Sequence, residues 1–470
     1  MLGLFASGSA WSQYANTWIQ YNQSYYKFPV VSDGVYRISH STLQSAGMPI
    51  SAIDPRHIQV FYHGQEIPIY IEGESDGVFD TGDFIELVGG KNTGWLDTAL
   101  FLYPEHHLAK GRSLFSDTSY YFITWNASIN NLRYQIETDN AFSSYLPSTF
   151  YYADIEQEFS TSYYEGPIYG AGKLNPDYDN GEGWAQIYNT AATVNSGWTA
   201  PFFAYRATTY SSANATLWIN ALTGNNPLPG SEHRHQLTFG GSIVMDTVLD
   251  AYQSYKKTVS MPAGLVSAAS SPYILDFMST FTSTVRSGIS YVKLRLPQVY
   301  NLGGRSKQYL FIPDETSQSK ARADISNFNS SGGNVWIYDL RNKKRIKVYP
   351  NGPGFQALIP NGGGIKQCYI IAESQIQPVV NVRPVSSQPS SYARFLDYQN
   401  TFRDFDYLIV APSALRSSAQ AYKNYRQQTG FHSLLIDVEE LYDQFAYGIP
   451  KHPMAIRNFL IMVLHEWTLK

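Results

Sequence analysis

The sequence is poor in charged residues, in cysteine and in long apolar runs. Lys, Arg, Asp and Glu make up 15% of the 470 residues, whereas an average soluble protein has about 25%. The formal net charge is −4 and no basic cluster occurs, so the sequence gives no indication of binding to nucleic acid or anionic lipid. No stretch approaches the roughly 18 apolar residues of a membrane-spanning helix, and we expect no transmembrane segment.

A single cysteine, Cys368, excludes an intrachain disulfide. A reactive thiol needs a neighbouring cation, histidine or helix N-terminus that lowers its pKa. Cys368 lies instead in the apolar run 368–372, which predicts a strand. We therefore expect this thiol to be buried and structural rather than catalytic.

Aromatic residues are as abundant as charged ones, and 37 of them are tyrosines. Over residues 25–380, short runs of alternating apolar and polar residues are separated by Gly, Asn and Asp. This spacing is typical of β-sandwiches and barrels. The sequence therefore predicts a mainly β fold made of tandem β-sandwich or other β-rich modules.

Turn signals inside this region predict two β-hairpins, because Gly and Asp next to short apolar runs favour tight connections. The first turn is Ser32-Asp33-Gly34, and the second is His63-Gly64-Gln65-Glu66. The strands they are expected to join are residues 25–31 with 35–38, and residues 58–62 with 67–71.

The pattern changes in the last part of the chain. A Pro- and Ser-rich connector, residues 377–391, is followed by the apolar run 407–410, which predicts a strand buried on both faces. A helix is predicted from about Ser413 to Gly430, a residue type suited to the position after a helix. Residues 433–436 predict a second buried strand.

Pro453 opens a further helix whose apolar residues fall on one stripe: Ile456, Phe459, Leu460, Val463, Leu464 and Trp467. Strand–helix–strand–helix is the beginning of a doubly wound α/β sheet, and two parallel strands cannot cover their own apolar faces. We therefore expect this domain to be incomplete as given. The alternative is that it docks onto the β region as an appendage.

These patterns predict the domain organisation of the chain. We expect a signal-peptide remnant at 1–13, an N-terminal β-rich domain at 14–150, a β-sandwich domain at 151–315, a small β module and connector at 316–395, and the truncated start of an α/β domain at 396–470.

The N-terminus carries part of an export signal. A short apolar run, residues 2–6, precedes small residues and the Ala-Trp-Ser of residues 10–12, which resembles a signal-peptide cleavage site. No Lys or Arg precedes Lys27, so the positive region that normally opens a signal peptide is missing. A start further upstream and a frayed first strand are the two explanations left open.

The last part of the chain resembles the opening of a gingipain-type cysteine peptidase domain. The most specific part runs from Asp437 through the Tyr-Gly-Ile-Pro turn at 447–450 into the Ala-Ile-Arg helix at 455–460. Residues 406–410 and 422–431 add to this resemblance. Upstream, several motifs look like the N-terminal β region of PorU-like type IX secretion sortases, namely residues 34–38, 76–86, 92–97 and 181–184.

The resemblance implies an incomplete caspase-like (gingipain) α/β domain and a cysteine endopeptidase with a Cys nucleophile and a His base. It implies protein substrates, since sortase-like members remove the C-terminal secretion signals of cargo, and contacts with other type IX secretion components. It also implies an exported protein, at the cell surface, associated with the outer membrane, or extracellular. The family's Cys and His are expected downstream of Lys470, so no catalytic residue is assigned here and the chain alone is predicted to be inactive.

One acidic loop is a candidate metal site. Asp76, Asp80 and Asp83 lie on a Gly-broken segment, between Glu74 and Glu86, that can supply several oxygens to a hard cation such as calcium. The spacing does not fit an EF-hand. The alternative is an Asp-Gly turn whose carboxylates cap backbone amides. No other cofactor is expected.

The histidines carry weaker signals. His233 and His235 point the same way on a predicted strand, and we expect a solvated strand face rather than zinc, which needs further ligands. His432, His452 and His465 are expected on the surface.

The residues also leave a non-enzymatic function open. Tyrosine-rich sheets of low charge suit a β-sandwich surface protein that binds or adheres to partners and retains a relic α/β segment. An intact Cys–His pair in the parent protein would separate the peptidase from this alternative.

Overall fold

The computed structural model describes residues 14–167, 177–188, 196–200, 213–225, 233–239, 241–262, 264–265, 273–280, 286–386 and 391–467. The predicted signal-peptide remnant at 1–13 lies outside these residues. The chain divides into two compact units, each built from segments that are distant in sequence. Unit 1 comprises Met1–Leu96, Phe115–Tyr134 and Ile376–Lys470, and unit 2 comprises Asp97–Leu114 and Gln135–Gln375. The domain boundaries stated above stay a prediction.

The strands of the first part of unit 1 are β1 (Tyr26–Val30), β2 (Gly34–Ser39), β3 (Ile58–Tyr62), β4 (Gln65–Ile67), β5 (Tyr70–Ile71), β6 (Phe84–Gly89) and β7 (Ser119–Trp125), with a short helix α1 (His40–Ser45). Single 3₁₀ turns lie at Ile50–Ala52, Pro55–His57 and Glu74–Asp76.

The strands of unit 2 are β8 (Gln135–Glu137), β9 (Tyr151–Glu158), β10 (Ser162–Tyr164), β11 (Gly183–Tyr188), β12 (Ser196–Ala200), β13 (Ala215–Thr223), β14 (His233–Phe239), β15 (Ser242–Leu249), β16 (Ser254–Met261), β17 (Tyr273–Thr280), β18 (Ser287–Gln298), β19 (Asn301–Arg305), β20 (Lys307–Ile312), β21 (Lys320–Phe328), β22 (Val335–Asp339), β23 (Lys344–Asn351), β24 (Gly354–Pro360) and β25 (Lys366–Ala372).

The elements after residue 375 belong to unit 1. They are β26 (Gln377–Pro378), β27 (Arg383–Pro384), α2 (Tyr398–Thr401), β28 (Tyr407–Ala411), α3 (Arg416–Gln428), β29 (Ser433–Asp437), α4 (Val438–Phe445) and α5 (Met454–Glu466).

A β-sandwich forms the N-terminal part of unit 1. One sheet has the strand order β27-β1-β7-β3-β4 and the other β26-β2-β6-β5. Alternate residues of both sheets meet in one core, as expected for period-two strands. Members of this core from the first sheet include Phe28, Val30, Ile58, Val60 and Ile123, and from the second Ile38, Ile71, Ile85 and Leu87.

The first predicted hairpin is wrong. β1 pairs with β7 and β27, whereas β2 pairs with β6 and β26 in the other sheet. The turn at Ser32-Asp33-Gly34 therefore carries the chain from one sheet of the sandwich to the other. A turn signal is local and does not distinguish a hairpin from such a crossing, so the pairing partner could not be read from it.

The second predicted hairpin is confirmed in part: its second strand lies at Gln65–Ile67 inside the predicted turn, and Tyr70–Ile71 of the predicted strand pairs with β6 in the other sheet. Tyr62 pairs with Gln65 across β3 and β4, and the two residues between them, His63 and Gly64, have φ values of 49° and 74°. Two successive positive φ values define a type I′ turn, whose twist matches that of the strands. Pro68 follows β4 directly, and a residue without an N–H ends the pairing there.

Unit 2 holds three apolar clusters among its described residues, two of them large and one of four buried residues around Tyr164 and Leu222. In the first, Leu237 and Phe239 of β14 pack with residues of β13 and β18 such as Ile219 and Leu294, so the sheet β12-β17-β14-β15 covers part of a larger sheet. In the second core, the strands from β20 to β25 pack around residues such as Cys368. Cys368 is fully buried, as predicted, and burial raises the pKa of its thiol.

The expectation of a solvated strand face at His233 and His235 is wrong. Both side chains are buried, because β14 lies between β15 and β17 and these residues share its core face with Leu237. The ring of His235 lies 3.0 Å from Ser287 Oγ at Nε2 and 3.0 Å from Tyr255 Oη at Nδ1. Burial lowers the pKa of His235 to about 3, so it is a neutral member of a polar network in the core.

Candidate functional site in the parallel-strand segment

The strand–helix–strand–helix order predicted for the last part of the chain is confirmed. β28 and β29 pair in parallel, with Tyr407 opposite Ser433 and Ala411 opposite Asp437. α3 joins the two strands and ends at Gln428. Gly430 follows with φ 95°, a left-handed conformation that glycine adopts without the strain caused by a side chain. α4 was not predicted. Its signal was an Asp N-cap followed by acidic residues in the first turn, Glu439 and Glu440.

Polar side chains converge at the carboxyl end of the two parallel strands. The Ser413 hydroxyl, just after β28, lies 3.0 Å from Asp437 Oδ2 and 3.2 Å from Glu439 Oε2. The Arg416 guanidinium lies 3.5 Å from the same oxygen of Asp437. We call Ser413, Arg416, Asp437 and Glu439 the carboxyl-edge cluster. Ligands of open α/β sheets commonly bind at this end of the strands.

The carboxyl group of Glu439 is influenced by its neighbours in this cluster. A hydrogen bond with the neighbouring carboxylate of Asp437 raises the pKa of Glu439, and burial adds to this effect. The Ser413 hydroxyl donates to the carboxylates of Asp437 and Glu439. His432 lies at the opposite, amino end of β29, with Nδ1 2.7 Å from the backbone oxygen of Asp404. That the catalytic Cys and His lie downstream stays a prediction.

α4 packs on the N-terminal sandwich through a buried ion pair. Lys27 of β1 donates to both carboxylate oxygens of Asp443, and the two residues are 7% and 2% exposed. Burial raises the pKa of Asp443, against the opposing effect of Lys27. The neighbouring Gln444 is also fully buried and lies 3.2 Å from the Tyr21 hydroxyl.

A second carboxyl of α4, Glu440, is enclosed by neutral donors. It accepts hydrogen bonds from the backbone N–H of Leu396 at 2.9 Å, the Tyr398 hydroxyl at 3.2 Å and Gln444 Nε2 at 3.2 Å. Burial raises the pKa of Glu440 to about 7, because these donors compensate only part of the lost hydration.

The turn after α4 meets the sandwich at very short range. Tyr447 and Gly448 both have positive φ, 53° and 82°. A Cβ on Gly448 would lie 2.6 Å from Tyr120 Cβ, and a Cβ on Gly64 would lie 2.7 Å from Tyr447 Cε1. Each glycine is therefore required by a close approach of the partner segment.

The strands and helices of this segment differ in how far they are covered. β28 was predicted to be buried on both faces, but all of its residues are only partly buried, and no residue of α3 is buried. In contrast, α4 contacts the sandwich through Asp443, and α5 packs on α4 through Phe459 and Phe445.

The apolar stripe predicted for α5 also divides. Phe459, Val463 and Trp467 are buried, whereas Ile456, Leu460 and Leu464 are 36%, 41% and 64% exposed.

The surface position expected for His452 is wrong as well. His452 is fully buried, and its ring packs at 60° to Phe115 with centroids 4.8 Å apart. His432 and His465 are exposed as predicted.

The acidic loop adopts the capping arrangement. Asp76 Oδ1 accepts from the backbone N–H of Val78 at 2.9 Å, and Asp83 Oδ2 accepts from that of Asp80 at 2.7 Å. Glu74 pairs with Arg133. In the described part of the chain, no group of three or more His, Cys, Asp or Glu side chains is arranged to hold a metal ion. Calcium binding by Asp76, Asp80 and Asp83 stays a prediction.

A family match exists for the last segment of the chain. Residues 400–470, which contain β28 to α5, match peptidase family C25. The gingipain-type resemblance is therefore confirmed for this segment. The β-rich part followed by a parallel α/β segment fits the predicted caspase-like arrangement. No curated relative matches the chain.

One solved structure then matches almost the whole chain. Dimeric latent PorU from Porphyromonas gingivalis superimposes on 95% of this chain with a TM-score of 0.58 and 16% sequence identity. The match covers 40% of that PorU chain. At this identity the match shows the fold, and the PorU-like fold predicted from the motifs is confirmed.

A more distant structure matches a smaller region. The CBM36-1 domain of a multidomain xylanase from the hindgut metagenome of Trinervitermes trinervoides covers 30% of this chain and 95% of its own length, with 13% identity and a TM-score of 0.18.

In the described residues, no helix is both long and apolar enough to cross a bilayer.

Proposed function

We propose that this chain is the N-terminal part of an exported gingipain-type cysteine endopeptidase that acts as a sortase in type IX secretion. In this role the parent protein removes the C-terminal signals of secreted cargo proteins at the cell surface. The observation that carries the proposal is the coincidence of two matches on one chain. Residues 400–470 match peptidase family C25, and 95% of the chain shares the fold of PorU.

The chain as given is proposed to be inactive on its own. Its single cysteine lies in the core of unit 2, where burial raises the thiol pKa, so Cys368 is not a nucleophile. The proposal assigns the catalytic Cys and His to residues that follow Lys470 in the parent protein. The carboxyl-edge cluster then lies at the end of the sheet where a substrate peptide is expected to contact the domain.

The β-rich modules are proposed to be a scaffold and a docking surface for cargo and for other type IX secretion components. The absence of a strongly charged composition, 15% charged residues with a net charge of −4, favours protein surfaces over nucleic acid as partners. A structural calcium ion in the loop of Asp76, Asp80 and Asp83 remains part of this proposal.

The proposal is tested in the bacterium that encodes the protein. The first step is to read the frame beyond codon 470 for a strand-end His and Cys. Replacing that Cys by Ala is expected to leave the protein exported while secreted cargo retains its C-terminal signal, as measured by mass spectrometry of the cargo. The matched control is Cys368→Ala, for which we expect normal cargo processing.

Two outcomes contradict the proposal. If cargo is processed normally after deletion of the whole gene, the sortase role is wrong, and the non-enzymatic surface-binding alternative is favoured. If the purified 470-residue chain hydrolyses peptides and a thiol-directed inhibitor stops it, the assignment of the nucleophile to downstream residues is wrong.

A further inference from the structure

The carboxyl-edge cluster is joined to α4 without a linker. Asp437 is the last residue of β29 and also the N-cap of α4, where its side chain accepts from the N–H of Glu439 at 3.1 Å. Any displacement of α4 therefore displaces the end of β29, and with it the side chains that meet Ser413.

The position of α4 is in turn set by a residue of the N-terminal sandwich. Asp443 lies six residues after Asp437, about one and a half helical turns further along, and it pairs with Lys27. Both charges are buried, so a shift of α4 along β1 would leave two uncompensated charges in the interior. A buried charge without its partner is strongly unfavourable, which makes such pairs specific for one register.

A second contact fixes the far end of α4. The close approaches at Gly448 and Gly64 place the turn against Tyr120 of β7 and against the hairpin turn between β3 and β4. Phe122, whose ring also approaches Gly448, packs against Trp18 and Phe395 at ring-centroid distances of 4.9 Å and 6.1 Å. α4 is thus held by β1 at Asp443, and the turn after it is held by β7 and by the turn that follows β3.

We infer that the β1–β7–β3 face of the sandwich is a positioning platform for the peptidase-type segment, and that Lys27 is a positioning residue for the carboxyl end of β29. The partner of this surface is the α4 helix and the turn after it. The inference goes beyond the proposed function and does not require the parent protein to be a peptidase.

Hydrogen exchange on the full 470-residue chain tests the platform. We expect the amides of α4 to exchange as slowly as those of β1 and β7, and the amides of α3 to exchange at least a hundredfold faster. Lys27→Met removes the cation that is hydrogen-bonded to Asp443 and leaves only the weaker Coulombic effect of Arg383, so we expect α4 to lose at least a hundredfold protection. Adding Asp443→Leu removes the second charge as well. We expect the protection of α4 in this double variant to be at least tenfold higher than in Lys27→Met alone.

The positioning role needs a readout that stability alone does not change. The methyl resonances of Ile436 in β29 serve this purpose in the stable double variant Lys27→Met/Asp443→Leu. We expect them to shift, because the pair no longer sets the register of α4. The matched control is Arg37→Met/Glu86→Leu, which removes an ion pair of the second sheet of the same sandwich and is expected to leave the Ile436 resonances in place.

A glycine pair tests the second contact independently. Gly448→Ala introduces both a strained φ and a clash with Tyr120, whereas Gly430→Ala introduces a similarly strained φ of 95° with nothing within 4 Å of the new Cβ. We expect Gly448→Ala to reduce α4 protection at least tenfold more than Gly430→Ala does.

The platform is refuted if Lys27→Met leaves α4 protection unchanged, or if the two glycine variants affect α4 equally. The positioning role of Lys27 is refuted if the Ile436 resonances stay in place in the double variant or move equally in the control. These results are independent of cargo processing, so a failed platform and a failed sortase proposal are distinguishable.

Discussion

The two halves of the peptidase-type segment differ in what covers them. In the half formed by α4 and α5, residues such as Leu441, Phe445 and Phe459 are fully buried. In the half formed by β28 and α3, no side chain is fully buried, and Tyr422 and Tyr425 are 45% and 55% exposed. The buried half owes its core to contacts among its own helices, such as Phe459 with Phe445, and the Lys27–Asp443 pair joins α4 to the sandwich.

The largest effect is expected at Phe459, in the covered half. Its ring packs between Tyr398, Phe445 and Trp467 at centroid distances of 5.3 to 6.2 Å. Phe459→Ala removes these contacts and leaves a cavity, so the free energy of unfolding should fall by about 3–5 kcal/mol. Leu464→Ala, on the exposed side of the same helix, should change it by less than about 0.5 kcal/mol. If guanidinium unfolding gave the same loss of free energy for the two variants, the buried and exposed sides of α5 would not differ in packing.

A pH effect is expected next, at Glu440. Its pKa is raised from an ordinary 4.5 to about 7 in the folded chain, so between these values the folded state holds a proton that the unfolded state has lost. The contribution of Glu440 therefore favours folding below pH 4.5 and is lost as the pH rises through 7. Since the side chain keeps some contact with water, we expect a loss of about 1–2 kcal/mol.

The measurement for Glu440 compares wild type with Glu440→Gln by urea unfolding across this pH range. All other titrating groups are the same in the two proteins. The difference between their plots of unfolding free energy against pH therefore reports the carboxyl group of Glu440. We expect wild type to lose stability relative to the variant as pH rises. Parallel curves would show that Glu440 is not buried when α4 is docked.

A smaller effect is expected at the junction of the two halves. Asp437→Ala removes the N-cap of α4, which typically costs about 1 kcal/mol. Ser413→Ala removes only an exposed hydroxyl that contacts the same carboxylate and should cost less. If the two variants have the same melting temperature, Asp437 does not stabilise the start of α4.

The smallest effect is expected in the exposed half. The Arg416 side chain is 55% exposed and lies 3.5 Å from Asp437 Oδ2, and exposed ion pairs contribute about 0–1 kcal/mol. Arg416→Met should therefore change the free energy of unfolding by less than about 0.5 kcal/mol, and this small difference should shrink further as the salt concentration rises. A loss above 1 kcal/mol would show that this half is more firmly packed than its exposure indicates.

Much of the fold could be predicted from local patterns. The alternating runs predicted a mainly β fold, and the turn signal at 63–66 predicted a hairpin after β3, although its second strand begins two residues earlier than expected. The parallel α/β segment followed from its strand and helix order, and its motifs carried the C25 resemblance. These features depend on residues that are close in sequence.

Two of the failures arise from contact between distant parts of the chain. The crossing at Ser32-Asp33-Gly34 depends on β26 and β27, which are more than 340 residues away. The burial of His452 depends on Phe115. For His233 and His235 a local signal did exist, because Leu237 and Phe239 follow on the same face of the strand.

The order of segments in unit 1 has a consequence for the time course of folding. β1 pairs with β27, and Lys27 meets its partner 416 residues further along the chain. During synthesis, which starts at the N-terminus, the outer edge of β1 stays unpaired until β27 has been made. The ion pair of the Lys27 ammonium likewise forms only after Asp443 has been made. Contacts of such long sequence separation close slowly, and an open strand edge can pair with other chains. The sandwich is therefore completed late, after all of unit 2 has been synthesised.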